Sequence, residues 1–315
     1  MYLHAIRSFA VVFLMGFLNQ CLGSIWQSWW SYDGISGPHF WGILNTEWHL
    51  CEKGRRQSPI NIDPKTLLFD TTLGNISIDT NKVRGTLRNT GHYVEFLVDP
   101  SLPHAPNITA GPLAYKYRIT GFTIHFGSID FKGSEHTIDR QSFPGEIHIM
   151  AYNTDLYQNM SQAIESPNGM TALSILMQIG ETSSSQLELL TPAFKAIKYQ
   201  GQEEEVPSIS IHELLPPTNH YITYDGSLPF PGCQETVTWI LLNKPVYISR
   251  DQISILRQLN RGTEDVPKLS MGNNNRPTQN MNGRGVRTNI NVPKPTRLCS
   301  VEKEVFYEAN IPERL

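Results

Sequence analysis

A single, mainly β domain of α+β type with short surface helices is expected from three features of this 315-residue chain. Short runs of alternating apolar and polar residues recur from about residue 58 to about residue 250. Only two stretches carry helical spacing. Hydrophobic residues make up 39% of the chain and charged residues 17%, which suits a folded core rather than disorder.

The chain opens with Arg7 and the apolar run from Phe9 to Leu18, followed by Cys21-Leu22-Gly23. A basic start, an apolar run too short to span a bilayer and small residues at the −3 and −1 positions read as a signal peptide over residues 1–23. An uncleaved signal anchor is the rival reading. No later segment is apolar enough to cross a membrane, so a secreted, extracellular product is expected. Three glycosylation acceptors, Asn75, Asn107 and Asn159, each followed by X-Ser/Thr, agree with that.

The folded domain is expected over residues 26–290. Trp26, Trp29, Trp30, Tyr32 and Trp41, punctuated by Gly34, Gly37 and Pro38, read as an irregular segment pinned to a core by its rings. Strand patterns follow at residues 85–89, 93–98, 121–126, 146–150, 236–242 and 246–248. The two helical patterns cover Asn153 to Ser166 and Arg250 to Asn260, the second with Ile253, Leu256 and Leu259 on one face. Residues 291–315, with Pro293, Pro295 and Pro312 among mixed charges, read as a flexible tail. A net charge of −3 and a pI near 6.4 give no basic excess for a nucleic acid or an anionic membrane. Of four cysteines, Cys21 leaves with the leader. Cys51, Cys233 and Cys299 then suggest one disulfide and one spare thiol.

Two residue pairs point to chemistry. Thr123 and His125 are two apart on one strand and so share a face, as do Glu146 and His148 on another. Imidazoles from neighbouring strands with a carboxylate beside one of them resemble a zinc site with an orienting partner. Histidines in strands are more often satisfied core or surface residues. Catalytic zinc also needs three protein ligands, and spacing supplies only two.

Longer motifs carry a resemblance. Gln57-Ser58-Pro59-Ile60-Asn61-Ile62, and Gly127-Ser128 through Gly133-Ser134-Glu135-His136-Thr137-Ile138-Asp139, resemble the signature segments of the α-carbonic anhydrases. Trp41, Gly111-Pro112-Leu113, Tyr117-Arg118, Thr238-Trp239-Ile240 and Arg276-Pro277-Thr278-Gln279 fall in family order. The match covers about residues 29–290. It implies one domain around a large, mostly antiparallel twisted sheet, with zinc at the floor of a conical cleft in active members.

Position by position, the resemblance places Thr123 at the first zinc histidine, and His125 and His148 at the second and third. A threonine hydroxyl is neutral, hard to deprotonate and a poor ligand for zinc. Glu146 matches the carboxylate that orients the third histidine, whereas Gly121 replaces the glutamine that supports the first. Glu135 matches the glutamate that accepts a hydrogen bond from the hydroxide-orienting threonine, but Pro229 stands at that threonine, with neither a hydroxyl nor an N–H. Phe230 replaces the next polar residue and is expected to intrude into the cleft. His92 matches the proton shuttle; with no zinc hydroxide to serve, it reads as a surface histidine. These substitutions imply a pseudoenzyme with no cofactor. A weak zinc site on His125 and His148, completed by water or another side chain, is left open, and with it the alternative of a zinc-dependent carbonic anhydrase with an atypical site.

Within the family the chain is most similar to the secreted, acatalytic carbonic anhydrase-related proteins numbered X and XI. Trp29-Trp30, Phe40-Trp41-Gly42, residues 87–91, 222–227 and 243–248, and Arg287-Thr288-Asn289-Ile290 carry this. The resemblance implies an extracellular binding protein with a neuronal cell-surface partner of the neurexin type. It pairs Cys51 with Cys233, as in the family's extracellular members. Cys299 is then expected to form an intermolecular disulfide, to a receptor or to a second copy, unless a small thiol caps it. His148 departs from the subgroup, whose members need not keep a histidine there.

Overall fold

The computed structural model describes residues 29–291. The expected leader, Trp26 and the tail from residue 292 with Cys299 lie outside them. Eight strands carry the architecture: β1 (Val83–Asn89), β2 (Val94–Val98), β3 (Tyr117–Phe126), β4 (Gly145–Asn153), β5 (Met170–Gly180), β6 (Glu203–Ile209), β7 (Tyr221–Gly226) and β8 (Val237–Leu242). They lie in the order β6-β1-β2-β3-β4-β5-β8-β7, within a sheet of thirteen strands among the described residues. Neighbours are antiparallel except β5 and β8, which run parallel from Met170↔Val237 to Ser174↔Leu241. The expected mostly antiparallel sheet is therefore present.

Both faces of the central strands are covered, and the period of two sorts their side chains. Phe122, Ile124 and Phe126 of β3, Ile147, Ile149 and Ala151 of β4, and Leu173, Ile175 and Met177 of β5 join the larger apolar core. Met150, Tyr152 and Ala172 face a smaller core on the other side. Thr123, His125, Glu146, His148 and Ser174 occupy that second face at alternate positions.

Three short helices matter here: α1 (Met160–Ile164), α2 (Ser185–Ala196) and α3 (Arg250–Arg257). The helix expected over 153–166 is mostly not one. Asn153 ends β4, and its side-chain oxygen accepts the N–H groups of Asp155 and Leu156 (both 3.0 Å), turning the chain. A helix forms only once the Asn159 side chain caps Gln162 N–H at 3.0 Å. α3 starts as expected, with a capping box between Ser249 and Gln252, and ends three residues early. Helix α2 was not expected. Leu187, Leu190 and Phe194 are buried at helical spacing, but Pro192 interrupts the pattern as a breaker.

The aromatic segment is pinned as expected. Trp41 is fully buried, donates its indole N–H to Ser31 O and Ser36 O (3.1 and 3.0 Å), and meets Trp30 edge-on at 5.3 Å. Cys51 and Cys233 form a disulfide across 182 residues of sequence. No helix among the described residues is long and apolar enough to cross a membrane. Asn75 and Asn159 are exposed. Asn107 is half-buried, with its amide nitrogen donating to Asp79 Oδ2 at 2.8 Å.

Candidate functional site

The site is built on the second face of β3, β4 and β5, where Thr123 pairs with His148 and His125 with Glu146 across the strands. Glu146 is its electrostatic anchor. Oε2 accepts the backbone N–H groups of Glu135 and His136, both at 2.8 Å. Oε1 meets His136 Nδ1 at 2.6 Å, His148 Nε2 at 2.7 Å and the Ser174 hydroxyl at 2.6 Å. Burial alone would raise this carboxyl; His136 and His148 beside it hold it well below the usual range.

That anchor fixes the neighbouring rings. A carboxylate only accepts, so His148 Nε2 carries the proton and Nδ1 presents a lone pair. That Nδ1 is buried and has no hydrogen-bond partner. His125 is fixed in the mirror sense: Nδ1 donates to Asn274 O at 2.7 Å, leaving the Nε2 lone pair to accept from the Thr123 hydroxyl at 3.2 Å. Burial pushes the His125 pKa down to about 3 and lowers that of His148, so both rings stay neutral.

Glu135 is half-satisfied. Oε1 accepts the Arg276 backbone N–H at 2.9 Å, while Oε2 is buried without a partner, 3.9 Å from His148 Nδ1. Burial raises this carboxyl well above its ordinary range. Pro229, buried where the resemblance expects a hydroxyl donor, can give Glu135 nothing.

Aromatic rings cover the site. Phe230 is half-buried against Tyr93 (centroids 6.2 Å), and Tyr93 in turn lies 5.9 Å from the His125 ring. Tyr32 stands edge-on to His125 at 6.4 Å. His92 is not the surface histidine expected: it is half-buried, stacks on Trp30 at 3.9 Å and 9°, and donates Nε2–H to Trp30 O at 2.8 Å. A ring held on the inner aromatic segment cannot also be free in solvent.

Gly121 is fixed by backbone geometry. The β3 register shifts between Ile119 and Gly121, and a Cβ at Gly121 would sit 1.9 Å from Phe96 O. The side chain that supports the first histidine in the family has no room here. Several signature residues serve the architecture instead. The buried Arg276 guanidinium ties Gln57 Oε1 (3.0 Å), Ser58 O (2.7 Å) and Cys51 O (3.2 Å) together beneath Trp41.

Sequence reasoning gave His136, Ser174, Tyr93 and Asn274 no role. His136 was visible inside a quoted motif. Ser174 lies on a strand that the alternation test passed over, and Asn274 in a segment distant in sequence from β3. The zinc arrangement of active family members, three imidazoles around one ion, does not fit these residues. The His125 and His148 rings lie 4.7 Å apart, but the third position holds a hydroxyl already engaged by His125.

Comparison with known proteins gives a consistent picture. Residues 36–290 match the model of the eukaryotic-type carbonic anhydrase family. The carbonic anhydrase-like protein 2 of Caenorhabditis elegans is 44% identical to this chain over 291 residues, covering 89% of this chain and 86% of that protein.

Proposed function

From the premise that the chain belongs to the eukaryotic-type carbonic anhydrase family, we propose that it is an acatalytic member of the family, secreted and acting as an extracellular binding protein. The observation that carries this is the Thr123 hydroxyl bonded to His125 Nε2 where a third imidazole would stand. Rapid hydration of CO₂ in this family depends on zinc to generate hydroxide near neutral pH, and on a hydroxyl to orient it. This chain offers a neutral alcohol for the first and Pro229 for the second.

The Cys51–Cys233 disulfide supports an oxidising compartment, in line with the leader pattern and the glycosylation acceptors. The partner is a cell-surface protein, of the neurexin type on the strength of the resemblance to the related proteins X and XI. Cys299 makes the contact covalent or links two copies. The experiment adds tagged, purified protein to neuronal cells with and without reducing agent. Saturable binding, part of it surviving as a reducible conjugate, is expected. Absence of saturable binding, together with zinc-dependent hydration in solution, would overturn the reading.

A second reading, a weak zinc enzyme, is favoured by the retention of His125, His148 and Glu146. It requires hydration that rises with added zinc.

A further inference from the structure

We infer that His125 Nε2, His148 Nδ1 and Glu135 Oε2 form a site for one divalent transition-metal ion of the zinc or cobalt class, with Glu135 as a direct ligand. His148 Nδ1 and Glu135 Oε2 face one another at 3.9 Å, and the His125 ring lies 4.7 Å from the His148 ring. The Thr123 hydroxyl supplies the one proton donor recorded among them. Two of the three, His148 Nδ1 and Glu135 Oε2, are buried with no partner. Two buried acceptors that lie side by side with no donor between them call for a cation.

The distances suit an ion. One ligand atom from each of His125, Glu135 and His148 lies within 4.8 Å of the others, and His148 Nδ1 stands 3.9 Å from Glu135 Oε2. Ligands about 2.1 Å from a tetrahedral ion are about 3.4 Å apart, so His148 Nδ1 and Glu135 Oε2 need to close by only about half an ångström. Each donor is already oriented from behind: His125 by Asn274 O, His148 by Glu146, and Glu135 by Arg276 N–H. Two histidines and a glutamate are an established ligand set for zinc. The neighbouring trio His136, Glu146 and His148 is also close enough to hold an ion. It does not serve, because the Glu146 oxygens already accept five hydrogen bonds.

In this arrangement Pro229 has two effects. It removes the hydroxyl that would occupy Glu135, and so frees that carboxylate to replace the lost imidazole. The inference stands apart from the acatalytic reading, since an ion held by these ligands still lacks a hydroxyl to orient a bound hydroxide.

The test uses the full-length secreted protein, stripped with a chelator and titrated with Co²⁺ and, in competition with a chromophoric chelator, with Zn²⁺. One equivalent should bind, with a visible d–d spectrum of tetrahedral type and a rise in Tm. Glu135→Gln, nearly isosteric, should weaken binding at least 10-fold and abolish the Tm rise while its near-UV circular dichroism stays native. Failure of the folded wild type to bind either ion would overturn the inference, leaving a proton on Glu135 or a buried water as the occupant. Equal affinity in Glu135→Gln would also overturn it, because the ion would then sit on the two histidines alone.

Discussion

Glu135→Gln should stabilise the metal-free protein. In the wild type Glu135 Oε2 is buried without a partner, a condition that costs roughly 1–3 kcal/mol. Glutamine keeps the acceptor for Arg276 N–H and adds an NH₂ group where Oε2 stood, 3.9 Å from the unpartnered His148 Nδ1. A small rotation completes that hydrogen bond. The gain should depend on pH. Burial raises the folded-state pKa of Glu135, so below the ordinary carboxyl value both folded and unfolded chains hold the proton and nothing is lost. As pH rises past that value the unfolded chain releases its proton first, and wild-type stability falls until the folded pKa is passed. Glutamine does not titrate. Urea denaturation in excess chelator should therefore show the variant more stable by about 1–3 kcal/mol at pH 7.5 and by less at pH 4.5, a Tm difference of roughly 2–4 °C per kcal/mol. A variant less stable than wild type at both pH values would refute the reasoning, because Oε2 would then have a partner worth keeping.

Thr123→His adds the third imidazole and should tighten zinc affinity at least 10-fold by competition titration, yet leave hydration at background because Pro229 is unchanged. Adding Gly121→Gln to it should cost at least about 1–3 kcal/mol in denaturant, the usual range for overpacking, since the new Cβ meets Phe96 O at 1.9 Å. Replacing Cys51 and Cys233 together by serine opens a 182-residue loop and should lower stability by up to about 5 kcal/mol on the chain-entropy account, read as a fall in the denaturation midpoint. Glycan mapping of secreted protein should find Asn75 and Asn159 occupied and Asn107 poorly so, because its amide nitrogen is already bonded to Asp79.

The sheet was legible where one face of a strand alternates with the other, as in β1 and β2, whose burial follows that rhythm. It was not legible in β5, the longest strand. Its first eight residues are buried on both faces, so Met170 to Met177 read as a near-continuous apolar run without alternation. Helix α2 was hidden by Pro192, and the start of the 153–166 pattern failed because Asn153 uses its side chain to turn the backbone. The site's pairs were visible as spacings of two: Thr123 with His125, and Glu146 with His148. Their consequences were not. That Glu135 Oε1 is held by the Arg276 N–H, 141 residues away in sequence, while Oε2 has no partner, and that His92 stacks on Trp30, 62 residues away, come from the folded chain. Contacts of that range leave no local pattern to read.

The central claim, that the chain has lost hydratase chemistry while keeping the scaffold, is tested most directly by stopped-flow CO₂ hydration on the purified protein with saturating zinc. A rate equal to the uncatalysed background, with and without chelator, is the expected result. Zinc-dependent, chelator-sensitive hydration above that background would contradict the account, since neither Thr123 nor Pro229 could then be the lesion described.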